Sequence, residues 1–109
     1  MFEALLGSTS KERVLLFLIA RGEGYPREIA RFFDSSLAPI QRQLDVLEQG
    51  GLVCSRSLGS TRVYSFDPRY PMLAELKGFL EKALTFYPAE LRDRLMLERQ
   101  RPRRRGKPL

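Results

Sequence analysis

Seven consecutive apolar residues, Val14–Ala20, lie in a segment that carries helix signals at both ends. Thr9 followed by Glu12 has the spacing of a capping box, in which the two side chains satisfy backbone N–H groups of the first turn. Gly22 and Gly24 mark the stop, so a helix is predicted over 9–21. That helix is apolar on nearly every side, and one stripe facing one core does not account for it. Either another segment of the chain covers the far face, or a second subunit does. The run is too short for a membrane span, which needs about 20 residues.

Downstream, Pro26 suits the first position of a second helix, where its missing N–H has no partner to lose. This helix continues to Phe33 with Ile29, Ala30 and Phe33 inward, and Asp34-Ser35-Ser36 is a short polar turn. Leu37, Ile40, Leu44 and Leu47 then recur at three- and four-residue steps, one stripe of a third helix over 37–49. Pro39 is tolerated with Ser36 as the cap, because it falls in the first turn, and Gly50-Gly51 ends the helix. Leu52–Leu58 and Thr61–Phe66 read as strands around Gly59-Ser60, a two-residue hairpin signal. Tyr64 and Phe66 share one face, as do Leu52 and Cys54 on the partner strand. After the linker Asp67–Pro71, a fourth helix is predicted over 72–86, striped by Leu73, Leu76, Leu80 and Leu84. Pro88 opens a shorter, more polar helix with Leu91 and Leu95.

Two helices joined by a polar turn and followed by a hairpin give the order helix–turn–helix–wing. The predicted fold class is mainly α with a small β-hairpin: a three-helix core plus wing, with one or two C-terminal helices. At 109 residues the chain fits one domain. Residues 1–87 form the winged unit with a dimerisation helix, 88–100 a short C-terminal helix, and 101–109 a disordered basic tail, charged and nearly devoid of apolar groups.

The single cysteine, Cys54, excludes an intramolecular disulfide and a Cys-rich metal site, and its place beside Leu52 predicts a buried, inert thiol. The absence of histidine removes the commonest general acid–base and the commonest transition-metal ligand. The thirteen Asp and Glu are scattered, and no glycine loop cradles a phosphate, so no catalytic residues, metal or cofactor are expected. No basic n-region precedes an apolar stretch and a cleavage site, so the expected location is the cytoplasm, with no membrane partner. Net charge is +6, with eight Lys/Arg against three Asp/Glu in residues 88–109 and eleven against ten in 1–87. Such a tail attracts any polyanion, so charge favours nucleic acid only weakly.

The most specific stretch is Ser36–Val53. Leu44, Leu47, Glu48, Gly51, Leu52 and Val53 match, in spacing and identity, the end of the recognition helix in winged helix-turn-helix regulators of the ArsR/MarR type. The resemblance extends from Leu5-Leu6-Gly7-Ser8 to Tyr64 and Phe66. Taken whole, the chain also resembles the small ArsR-like regulators encoded beside nucleotidyltransferases. The resemblance implies a DNA-binding transcription regulator, a homodimer whose recognition helices lie about one DNA turn apart. The metal-sensing members use clustered cysteines, histidines and carboxylates, which this sequence lacks.

The residues support the role independently. With the leucine stripe inward, a 100° step turns Ala38, Arg42 and Gln49 outward, flanked by Pro39 and Gln41. Ala38 permits close approach; Gln41 can pair with adenine, and Arg42 with guanine or a phosphate. The N-terminal half of a recognition helix enters the major groove, which favours Ser36–Arg42 over Asp45 and Gln49. Asp45 is expected to sit clear of the phosphates. In the wing, Arg56 and Arg62 with Ser57, Ser60 and Thr61 are expected to form a donor cluster for phosphate or minor-groove contacts. Arg27, at the start of the second helix, adds a candidate phosphate contact. A solvated amphipathic helix and a charged hairpin give the same residues without any ligand. The alternative function is a protein-interaction adaptor that holds a partner enzyme such as a nucleotidyltransferase. RNA binding through the tail lacks a visible stacking platform.

Overall fold

The computed structural model describes residues 1–100, with side chains as far as Met96, so the expected tail over 101–109 lies outside the described residues. The elements in chain order are α1 (Glu3–Leu6), α2 (Thr9–Arg21), β1 (Glu23–Gly24), α3 (Pro26–Phe32), α4 (Leu37–Gln49), β2 (Val53–Leu58), β3 (Thr61–Phe66), α5 (Leu73–Leu84) and α6 (Ala89–Gln100). The fold is mainly helical, with one three-stranded antiparallel sheet ordered β1-β3-β2. This is a winged helix.

Helix α2 is the axis of the molecule. It touches α1, α3, α4, α5, α6 and β1, and Val14, Phe17 and Leu18 have no exposed surface. The same chain therefore covers the all-round apolar helix, and its surplus of apolar residues needs no second subunit. Ile29 of α3, Ile40 and Leu44 of α4, Tyr64 of β3, Leu80 of α5 and Leu95 of α6 close the core around it. Each fully buried Leu, Ile or Phe contributes roughly 1.5–3 kcal/mol of transfer free energy.

The cap of α2 differs from the expected box. Ser8, not Thr9, is the extended capping residue, and its hydroxyl accepts the Lys11 N–H at 3.0 Å. Thr9 is already helical. Glu12 is buried and turns away from the helix start to accept the Phe2 N–H at 3.2 Å, tying α1 to α2. At the other end Arg21 is buried against the flat faces of Phe17 and Phe32, 4.6 and 5.0 Å from their centroids. Its Nε donates to the carbonyl of Leu95 at 3.3 Å, and its guanidinium lies 3.8 Å from Glu28. Arg21 thus joins α3 and α6 to the central helix.

Gly24 is a strand residue and not a helix stop. It pairs with Tyr64, and a Cβ there would lie 2.6 Å from the Phe17 ring, so β1 crosses the central helix where only glycine fits. Helix α4 ends in a Schellman arrangement. Gly51, at φ 85°, donates to Glu48 and Leu52 donates to Leu47, each at 3.0 Å. This sends the chain into β2 with Leu52 and Val53 both buried. Leu52 itself precedes the strand. Cys54 is half-buried, with Sγ 3.9 Å from the Ser65 hydroxyl, because its side of the hairpin is opposite that of Val53 and Tyr64. Helix α5 is shorter than expected, bounded by a left-handed Met72 and by turns at Thr85 and Phe86, and it buries Leu80 and Ala83.

Candidate nucleic-acid interface

Helices α3 and α4 meet through Phe33-Asp34-Ser35-Ser36. Asp34 takes a left-handed backbone (φ 53°), which a short polar residue tolerates, and Ser35 donates back to the carbonyl of Ala30 at 2.9 Å. Ser36 stands at the cap position of α4, yet its side chain makes no capping bond. The reason lies in the sequence: a cap side chain bonds the second or third helical N–H, and Pro39 has removed the third. The first-turn backbone N–H groups of α4 therefore receive no side-chain cap from Ser36.

Ile40, Leu44 and Leu47 are buried, and Ala38, Pro39, Arg42, Asp45, Val46 and Gln49 are exposed. Ser36, Ala38, Pro39 and Arg42 therefore form one solvent-facing surface over the first half of α4. On its flank, Gln41 faces an open groove of about 430 Å³ between α4, the start of α3 and the wing. Arg27, Gln41, Ser60, Thr61 and Arg62 all line this groove. Five of the ten candidate residues thus converge on it, and four lie on the adjoining face of α4.

Arg56 stands apart. The two-residue loop pairs Ser57 with Arg62 and Arg56 with Val63, so the two arginines emerge from opposite faces of the hairpin. Arg56 is bound to Glu23 of β1 at 3.1 Å. The expected donor cluster of Arg56 with Arg62 is not formed. Arg62 instead donates to the Ser55 hydroxyl at 2.8 Å, which in turn donates to the Glu48 carboxylate at 2.5 Å. This chain of bonds ties the wing to the last turn of α4.

Tyr25, Asp45, Glu48 and Tyr64 also line the groove; none was among the candidate contacts, although Glu48 and Tyr64 carry the family resemblance and Asp45 was expected to sit clear of the phosphates. Steps of 100° put Gln41, Asp45 and Glu48 on one flank of α4, so their common face could have been read from the helix alone. That the wing would close over that flank could not. Burial of the Tyr64 phenol, with the Glu48 and Asp45 carboxylates nearby, raises its pKa above the ordinary 10.0, while Arg62 opposes the shift. The groove is therefore mixed in sign, with Arg27 and Arg62 as well as Asp45 and Glu48 among its lining residues.

A helix–turn–helix that offers small and basic residues on its second helix, with a hairpin beside it, defines a winged helix-turn-helix protein. No family model matches the chain. Over 94 residues it is 34% identical to the HTH-type transcriptional regulator Rv2034 of Mycobacterium tuberculosis, covering 84% of this chain and 85% of that protein. The chain belongs to the HTH-type transcriptional regulators. A mutant of Lactococcus lactis ZitR in its apo form has a similar structure, with a TM-score of 0.54 and 25% identity, covering 85% of this chain and 71% of that one. Among the described residues, no helix is long and apolar enough to cross a membrane, and no group of three His, Cys, Asp or Glu is placed to hold a metal ion.

Proposed function

We propose that this chain regulates transcription by binding a specific sequence in double-stranded DNA, with α4 in the major groove and the β2–β3 wing on the backbone or in the minor groove. The observation that carries this reading is the exposed surface Ser36, Ala38, Pro39 and Arg42, beside a groove whose lining includes Arg27, Gln41, Ser60, Thr61 and Arg62. Small side chains at the start of α4 let its uncapped N–H groups approach a phosphate, which the helix dipole favours. Arg42 and Gln41 offer the forked and amide donors that read guanine and adenine edges. Arg56, already held by Glu23, contributes less.

On this reading the chain is a cytoplasmic regulator of the ArsR/MarR type and works as a homodimer on a two-fold site. With α2 enclosed, the dimer contact falls to α5 and its ends, where Met72 and Phe86 are 68% and 59% exposed. Titration of duplex DNA over a range of salt concentrations tests the function. Binding through phosphates must weaken linearly in log–log form, with a slope near −0.9 per phosphate neutralised. Duplex binding that is absent, or that vanishes once residues 101–109 are removed, overturns the reading in favour of a partner-enzyme adaptor.

A further inference from the structure

We propose that Ser55 is a positioning residue of the wing. Its hydroxyl stands between Glu48 and Arg62 and keeps the guanidinium out of contact with that carboxylate, available to a DNA phosphate. This role rests on the DNA-binding reading.

The register of the hairpin brings the three groups together. Ser55 lies opposite Tyr64 and Ser57 opposite Arg62, so Ser55 and Arg62 are diagonal neighbours on one face of the two strands. Glu48, in the last turn of α4, meets that face. Ser55 and Glu48 are half-buried and Arg62 is exposed. A guanidinium only donates, an ionised carboxylate only accepts, and a serine hydroxyl has one proton. The direction of both bonds is therefore fixed. Arg62 donates to Ser55 at 2.8 Å, and Ser55 gives its single proton to Glu48 at 2.5 Å. A hydroxyl whose proton is held by a carboxylate is a better acceptor, so the two bonds strengthen each other. Among the ion pairs of the described residues, none joins Arg62 to Glu48.

The opposite face of the hairpin shows the arrangement that the hydroxyl prevents. There Arg56 touches Glu23 directly, at 3.1 Å, and its charge is answered within the protein. Arg62, held by a hydroxyl, spends one N–H donor and keeps the others for a ligand. The groove it lines is balanced in formal charge, Arg27 and Arg62 against Asp45 and Glu48, so net attraction does not draw a phosphate in. Binding there depends on which donors are unspent at contact distance, and Ser55 decides that for Arg62. Ser55 is not among the residues that line the groove; it acts through Arg62.

The dependence of duplex binding on Arg62, measured by anisotropy with one short duplex of arbitrary sequence, tests this role. In the wild type, Arg62→Ala should cost about eightfold near 0.1 M salt, the counterion-release value for one phosphate. In Ser55→Ala the guanidinium closes onto Glu48, and adding Arg62→Ala should cost nothing measurable. Glu48→Gln on top of Ser55→Ala removes the competing carboxylate and should restore the full cost of Arg62→Ala. Ser55→Thr keeps the hydroxyl and should behave as the wild type. Comparing each background with and without Arg62 cancels the general gain from deleting an acid. A Ser55→Ala variant that retains the full dependence on Arg62 overturns the role. So does a loss that Glu48→Gln fails to restore, because a second substitution would not repair a damaged wing. In the free protein, exchange of the Arg62 guanidinium protons with water, followed by NMR, should slow in Ser55→Ala and recover with Glu48→Gln. Exchange that Ser55→Ala leaves unchanged also overturns the role. That measurement contains no DNA: absence of duplex binding by every form, with the exchange pattern present, leaves the spacer in place and overturns the DNA reading alone.

Discussion

Arg42 and Arg62 are both exposed, and on the DNA-binding reading proposed above their different surroundings suit them to different contacts. Arg42 extends from the outer face of α4 with no partner of its own among the described residues, free to fork onto a base edge. Arg62 lines the groove and is held through Ser55 and Glu48, a fixed cation suited to a phosphate. Replacing Arg42 with alanine should cost about 1–3 kcal/mol on the preferred duplex and little on a scrambled one. Replacing Arg62 should weaken both duplexes alike and reduce the salt slope by about one. Competition binding with the two duplexes separates these outcomes, and identical behaviour of the two variants would refute the division. Residue chemistry also sets an acid limit. Asp67 accepts the Arg69 backbone N–H and guanidinium at 3.0–3.1 Å, and the Arg69 side-chain bonds hold its carboxyl below the ordinary 3.8. A carboxyl depressed in the folded state stabilises the fold above its unfolded pKa and loses that contribution as pH falls through the folded value. Thermal midpoints of the wild type should therefore drop more steeply than those of Arg69→Gln on acidification below about pH 4. Parallel curves would mean that the pair adds nothing.

At the level of elements, α6 is part of the core and not an appendage. Leu95 is fully buried, and its carbonyl receives the central Arg21. Leu95→Ala should cost about 2–5 kcal/mol in chemical denaturation, as a buried leucine does when a cavity remains. A value under 1 kcal/mol would show that α6 is only loosely docked. Gly24→Ala should cost about 1–3 kcal/mol through the clash with Phe17. These two sites also show where the sequence was legible and where it was not. Helix α4 emerges over the expected residues because a leucine stripe, a polar turn and a glycine pair bound it. The strand β1 has two residues and no periodicity, so Gly24 looked like a stop. The opposite faces of Arg56 and Arg62 follow from a two-residue loop alone, by parity, but the Glu23 that occupies Arg56 belongs to the unreadable strand. Whether the far side of α2 meets a second subunit or α5 and α6 depends on how helices distant in sequence pack, and no local pattern encodes that.

For the whole molecule the decisive quantity is where the charge lies. Residues 1–100 carry a net charge of only +1, because five of the Lys/Arg, and no acids, fall in residues 101–109. On the proposed reading, residues 1–100, nearly neutral and with Asp45 and Glu48 lining the groove, gain little from long-range attraction, so selectivity would come from short contacts at α4 and the wing. Residues 101–109, by contrast, attract any polyanion in proportion to their charge. Removing residues 101–109 should therefore lower affinity for all duplexes and flatten the log–log salt slope by up to about 4.5, at 0.9 per cation. The ratio of preferred to scrambled affinity should stay unchanged. Fluorescence anisotropy of both duplexes across salt concentrations, with full-length and shortened protein, measures slope and ratio together. If the ratio collapses along with the slope, sequence reading resides in the tail, and α4 is not the recognition helix.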